Sequence, residues 1–193
     1  MTTAKNKRII LVSGGAGYVG SVLVPKLISN GHTVKVFDTF WFWNSPEEFR
    51  EKIGLDNDQR LVTIKGYLRN IADVKNAVKD VDTVIQLACI SNDPSSDLDP
   101  KLTHAVNYEG NVRIIDESKK AGVKRFIYAS TSSVYGIKEE QNVSEEMELE
   151  PLTQYSKLKV EIEHYLSYAF DEKFKGVIIR PSTICGYSPR QRL

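Results

Sequence analysis

The chain has 193 residues, with 26 lysines and arginines against 25 aspartates and glutamates, a formal charge of +1. That length suits one domain, or one domain with a short extension. The balanced charge excludes a nucleic-acid reader held by phosphate contacts and leaves no acidic tail, while 41% hydrophobic residues supply a real core.

Taken in chain order, short apolar runs alternate with helical patterns. The pattern predicts a strand over 8–12, a helix over 18–29 stopped by Gly31, a strand over 33–37 ending at Asp38, and a helix over 46–53. A strand over 61–65, a helix over 71–78 and a strand over 83–87 follow. The Pro- and Asp-rich stretch SNDPSSDLDP reads as a loop, either substrate-facing or merely connecting. One long helix over 100–121 is stopped by Gly122, and a strand over 125–130, a helix over 153–170 and a strand over 176–179 complete the rhythm. The strands are apolar on both faces, as strands buried between two helical layers should be. Alternating strands and helices with right-handed crossovers make an α/β, doubly wound parallel sheet, a Rossmann fold.

The basic start precedes an apolar run of only four residues, 9–12, and glycines follow at once, so it reads as a strand and not as a signal peptide. No stretch approaches the roughly 20 apolar residues of a membrane span. Cys89 and Cys185 have no metal-ligand spacing and read as small buried apolar residues. His32, His104 and His164 are scattered. A cytoplasmic protein without membrane or nucleic-acid partners is expected.

The stretch VSGGAGYVGS joins the first strand to the first helix and holds Gly14-x-x-Gly17-x-x-Gly20. Glycine serves three ends there: a tight turn, close approach of backbone to a pyrophosphate, and close packing of helix on strand. The helix N-terminus adds free N–H groups and partial positive charge. Asp38 lies eighteen residues beyond Gly20, at the end of the second strand. A carboxylate there accepts from ribose hydroxyls and repels a 2′-phosphate, so NAD is favoured over NADP.

In YSKLK, Tyr155 and Lys159 stand four apart and share a helix face. A free tyrosine has a pKa of about 10, and lowering it to about 7 takes about 4 kcal/mol. A nearby ammonium and a positive nicotinamide ring both favour the phenolate. The spacing alone is common; it gains weight from ASTSSVYG one strand earlier.

Taken together, SGGAGYVG, Asp38, QLAC, NYEGN, ASTSSVYG, YSKLK and RPSTICG resemble, in order and spacing, the extended short-chain dehydrogenase/reductases, and more narrowly the NAD-dependent nucleotide-sugar epimerase/dehydratase family. The resemblance covers nearly the whole chain. It implies Tyr155 as the acid/base, Lys159 as its electrostatic helper and a ligand of the nicotinamide ribose, and Thr131 as the hydrogen-bonding partner of the reacting hydroxyl. It places Gly14, Gly17, Tyr18, Val19 and Gly20 at the pyrophosphate. Asp38, Thr39, Leu68, Leu87, Ala88, Ser130, Tyr155, Lys159 and Pro181 complete the NAD-binding set, with Pro181 near the nicotinamide. No metal is implied.

The family's 4,6-dehydratases carry Asp-Glu after the threonine, and its decarboxylases carry Glu in the second place; here Ser132 and Ser133 follow Thr131. Elimination needs an acid and a base beyond Tyr155, so dehydration is disfavoured. What remains is 4-epimerization through a keto sugar, or net oxidation or reduction at one carbon of a nucleotide sugar. Three positions depart from the family pattern: Tyr67 replaces a carboxylate that meets adenine, Gln86 replaces a histidine, and Thr183 stands near where many epimerases place an asparagine.

Trp41, Phe42 and Trp43 read as a hydrophobic cover under the next helix, or as a flap or oligomer surface. Asn107 reads as a strand-to-helix bonding residue near the cofactor, or as purely structural. Apolar stripes on the two long helices fit burial against the sheet and also the homodimer interface that the family implies. Residues 1–180 are expected to form the NAD-binding domain and 181–193 to begin a truncated substrate-binding region, with Arg190 and Arg192 either meeting a diphosphate or lying in a solvated tail. Two functions follow: a nucleotide-sugar epimerase or oxidoreductase, or a dinucleotide-binding module without turnover of its own.

Overall fold

A computed structural model describes residues 7–91, 93–140 and 142–191. Ile9–Ser13 (β1) lies inside a six-stranded sheet. It pairs in parallel with Thr33–Asp38 (β2) on one side and Thr83–Gln86 (β4) on the other. Leu61–Lys65 (β3) extends the sheet beyond β2, and Arg125–Ala129 (β5) and Lys175–Ile179 (β6) extend it beyond β4. The order is β3-β2-β1-β4-β5-β6, all parallel. The order reverses beside β1, and the C-terminal ends of the strands there form the crevice in which such sheets bind dinucleotides.

Among the described residues, seven α-helices connect the strands: Gly20–Ser29 (α1), Pro46–Lys52 (α2), Ile71–Val78 (α3), Asp93–Leu98 (α4), Pro100–His104 (α5), Gly110–Lys120 (α6) and Gln154–Ala169 (α7). Local chemistry sets several starts. Ser45 accepts from the Glu48 N–H ahead of Pro46, Asn70 accepts from Ala72, and Thr153 with Ser156 forms a reciprocal box at α7. Side chains alternate across the strands into two cores. Val12, Val36, Ile85, Val24, Ile28 and Phe49 pack on the α1/α2 face, and Phe37, Phe126, Tyr128, Ile114, Ile162 and Leu166 on the α3/α6/α7 face. Each such burial contributes about 1.5–3 kcal/mol.

Two expectations change. The helix predicted over 100–121 is interrupted: α5 passes into a wide π turn over Ala105–Glu109 before α6. Asn111 Nδ2 donates to the carbonyls of Asn107 (2.9 Å) and Val106 (3.4 Å), competing inside the helical ladder. The stretch read as a loop contains α4, which lacks apolar periodicity and is held instead by the buried Thr103 hydroxyl donating to the Ser96 carbonyl at 3.0 Å.

The last strand is not buried on both faces. Val36, Val12, Ile85, Ile127 and Val177 are successive register partners across one face. Val36 and Val12 are fully buried, Ile85 is 9% exposed, and Val177 is 56% exposed. Cover on the α1/α2 face thins out toward β6. Among the described residues, no helix is long and apolar enough to cross a membrane, and no three His, Cys, Asp or Glu gather as metal ligands.

Candidate active site

The glycine loop leaves β1 and enters α1 at the crevice. Gly14 takes φ +75°, and a Cβ there would stand 2.6 Å from the Ala88 nitrogen; at Gly20 a Cβ would stand 2.3 Å from the Gly15 carbonyl oxygen. The loop and the turn after β4 therefore meet backbone to backbone, which only glycine permits. No side chain caps α1 and no acidic residue occupies its first turn. A short cradle with an uncapped helix N-terminus and no acidic residue in the helix's first turn fits a pyrophosphate.

Asp38 ends β2 beside this loop. Its Oδ2 accepts from the Ala16 N–H at 2.9 Å, and its Oδ1 from the Phe40 N–H at 3.0 Å and the Thr39 hydroxyl at 3.5 Å. Burial pushes the Asp38 carboxyl up, opposed by the Phe40 and Ala16 hydrogen bonds. Trp43 donates its indole N–H to the Ala16 carbonyl at 2.8 Å. One residue of the glycine loop, Ala16, is thus gripped on its N–H by Asp38 and on its C=O by Trp43. From the sequence, Trp43 reads as hydrophobic cover, or as part of a flap or oligomer surface. It does cover Phe49, edge to face at 5.5 Å, but its polar end holds the glycine loop. Trp41 and Phe42 stay 59% and 65% exposed.

At the other side of the crevice, α7 carries Tyr155 and Lys159. Lys159 is buried and donates to the Ala129 carbonyl at 2.7 Å. Its ammonium lies 4.9 Å from the Tyr128 ring centre and 5.6 Å from that of Tyr155. The ammonium and the phenol ring are therefore neighbours, as the spacing predicts. Thr131 follows at the end of β5 and caps a 3₁₀ turn over Ser132–Tyr135; its Oγ1 accepts from the Ser133 N–H at 3.2 Å and donates to Ser133 Oγ at 3.3 Å. Tyr128 is buried, its hydroxyl has no partner among the described residues, and burial holds it well above the usual phenol range.

Ser130, expected at the cofactor, is buried and donates to the Glu163 carboxylate of α7. Arg180 meets the same carboxylate through Nε (3.2 and 3.1 Å) and NH2 (2.7 Å). Hydrogen bonding to Glu163 keeps the Arg180 guanidinium further above its already high range. Arg180 NH1 also donates to the Tyr135 hydroxyl at 2.8 Å and the Glu145 carbonyl at 3.2 Å. Sequence reading passes over this cluster; the available signal was Glu163, one turn beyond Lys159 on the same helix.

Ala88 stands against Gly14 and Leu87 beside it, both half-buried. The Pro181 carbonyl accepts from the Ser132 N–H at 2.9 Å, which ties the residue after β6 to the Thr131 turn. Leu68 is 8% exposed with its side chain in the core against Gly110, and its carbonyl accepts from the Arg113 guanidinium at 2.8 Å. Tyr67 is 40% exposed. Gln86 is buried and donates to Asn111 Oδ1 (3.0 Å) and the Ala88 carbonyl (3.1 Å). Asn107 bonds both polar groups of the Ile90 backbone, at 2.8 and 2.9 Å, so it pins the turn after β4. Cys89 is half-buried and Cys185 exposed, which corrects the expectation that both are buried.

The segment after β6 returns across the glycine loop. The Tyr18 hydroxyl donates to the Gly186 carbonyl, and Ser188 Oγ donates to the Tyr18 carbonyl at 2.8 Å. Arg190 stacks on Phe42, 3.6 Å from the ring centre, while Arg192 lies outside the described residues. A cleft of about 810 Å³ lies at the opposite end of the sheet, among Arg8, Asp82, Lys124 and Lys175; no candidate site residue lines it.

The comparisons with known proteins agree with this geometry. The chain is 30% identical over 179 residues to UDP-glucose 4-epimerase 3 of Oryza sativa subsp. japonica, covering 89% of this chain and 48% of that protein. It is 34% identical over 193 residues to an uncharacterized UDP-glucose epimerase, YtcB, of Bacillus subtilis, covering 95% of this chain and 58% of that one. The UDP-Glc/GlcNAc 4-epimerase of Campylobacter jejuni superposes with a TM-score of 0.81 at 26% identity, over 90% of this chain and 53% of that one. The Thermus thermophilus UDP-glucose 4-epimerase, solved with NAD, superposes with a TM-score of 0.77 at 28% identity, over 89% and 54%. The chain spans about half the length of the curated relatives it matches. The family model for the NAD dependent epimerase/dehydratase family matches residues 10–193, and the chain belongs to that family.

Proposed function

We propose that the chain is the cofactor-binding and proton-transfer half of a nucleotide-sugar epimerase or oxidoreductase that works through a keto sugar. The observation that carries this reading is the Lys159 ammonium beside the Tyr155 ring, at the strand ends that also bear the glycine loop. When bound, NAD, the family's cofactor, would supply the hydride acceptor and donor. Gly14, Gly17, Val19 and Gly20 hold its pyrophosphate by backbone, and Asp38 holds the ribose. Tyr155 takes the proton of a sugar hydroxyl while the hydride leaves the same carbon, so a C–H and an O–H bond break and a C=O forms. Lys159 favours the phenolate electrostatically, and Thr131 steadies the hydroxyl. Return of hydride to the opposite face gives the epimer; release of the keto sugar gives net oxidation. Ser132 and Ser133 offer no carboxylate for elimination.

In this reading residues 1–180 bind NAD, 181–193 begin the substrate region, and a cytoplasmic homodimer pairs α6 and α7 with a second copy. Tyr168 on α7 is 89% exposed, which suits that pairing. A second reading is a dinucleotide-binding module without turnover of its own, for which the glycine loop and Asp38 suffice.

Calorimetric titration with NAD and then UDP-sugars, followed by turnover assays, separates the two. Tyr155→Phe is expected to lower turnover by about 10²–10⁴-fold with NAD affinity unchanged. Full turnover by Tyr155→Phe would overturn the first reading, and NAD binding without any sugar turnover would establish the second.

A further inference from the structure

We infer that Glu163 is a positioning residue that fixes the Thr131 turn to the helix bearing Tyr155 and Lys159; this rests on the roles proposed above for those three residues. The juxtaposition is specific. Thr131 opens the short segment that ends at Tyr135. Ser130, just before it, donates to Glu163. Tyr135, at its end, accepts from Arg180, and Arg180 in turn holds Glu163 through three hydrogen bonds of 2.7–3.2 Å. One carboxylate on α7 therefore grips both ends of the turn, directly at one end and through the guanidinium at the other.

The pair is nearly dry, with the Glu163 side chain 4% exposed and that of Arg180 18%. A buried ion pair is weak support for stability, because apolar residues of equal volume often do as well. What it supplies is direction: planar guanidinium and carboxylate accept few geometries. The three elements it joins are those that carry the reacting groups. α7 holds Tyr155 and Lys159, the β5 end leads into Thr131, and Arg180 leads into Pro181, whose carbonyl accepts from Ser132 at 2.9 Å. Lys159 repeats the device one turn earlier by holding the Ala129 carbonyl. Two adjacent turns of α7 thus hold Ala129, the last residue of β5, and Ser130 just after it, and Thr131 is the next in line.

Ser130→Ala cuts the direct grip and leaves the ion pair, Glu163→Gln removes the charge, and the double variant removes both. Methyl-labelled threonine follows the Thr131 methyl resonance, assigned by its loss in Thr131→Ser, and works whether or not the chain turns over. Each single variant is expected to shift that resonance, and to lower kcat about tenfold with KM within twofold. The double variant is expected to lose about tenfold, not a hundredfold, because both changes cut one path. An unmoved Thr131 resonance in Ser130→Ala, or multiplicative losses in the double variant, would overturn the positioning role. A wild-type chain with bound NAD but no turnover would instead count against the proposed reaction, leaving the resonance to decide on Glu163.

Discussion

The first and last βαβ units of the chain solve different problems with one topology. In β1–α1–β2 the site is made by leaving side chains out: Gly14 and Gly20 let backbone pack at distances no Cβ tolerates. In β5–α7–β6 it is made by side chains that hold one another, from Lys159 on Ala129 to Glu163 between Ser130 and Arg180. The first unit needs shape and so offers no conservative replacement. The second needs donors and acceptors in fixed places, and its parts can be exchanged or removed in steps.

Three substitutions sharpen that contrast. The largest effect belongs to Gly20→Ala, whose Cβ would fall 2.3 Å from the Gly15 carbonyl oxygen. Urea denaturation is expected to show a loss of about 2–3 kcal/mol, and calorimetry a hundredfold weaker NAD affinity as the cradle opens. Retention of wild-type affinity would mean that the loop does not seat the pyrophosphate. Trp43→Phe keeps a ring against Phe49 and deletes the donor to Ala16. It is expected to cost about 1 kcal/mol and to weaken NAD severalfold; an unchanged denaturation midpoint would show that Asp38 alone holds the Ala16 peptide. The smallest effect belongs to Tyr128→Phe. That hydroxyl is buried without a partner among the described residues, so its removal should leave stability unchanged or raise it by up to about 1 kcal/mol. A clear loss of stability would reveal a partner for the Tyr128 hydroxyl beneath Lys159.

Local pattern made much of the fold legible. The strands over 61–65 and the helix over 71–78 match β3 and α3 to the residue, because apolar period and flanking polar caps agree there. Tertiary bonds decided the rest. α4 has no apolar face to announce it, and the π turn over Ala105–Glu109 depends on Asn107 and Asn111 meeting partners elsewhere in the chain. The strand over 176–179 reads as doubly buried from its composition, yet Val177 and Ile179 are 56% and 44% exposed. Composition states what a strand can bury, not what comes to cover it. The site divides along the same line. Gly14 to Gly20, Asp38 and the Tyr155/Lys159 pair are separated by short, characteristic spacings. Trp43 reveals itself only by where its N–H points, and Arg180 only through the carboxylate it shares with Ser130.

The Trp43 contact has a practical side. The chain has two tryptophans, and both belong to the loop after Asp38. Trp41 is 59% exposed, whereas Trp43 is half-buried with its indole N–H on the carbonyl of Ala16. The protein's tryptophan fluorescence therefore arises wholly beside the glycine loop, with a solvent-quenched red component and a bluer one tied to that loop. Any movement of that loop is written directly into the emission spectrum, without a label.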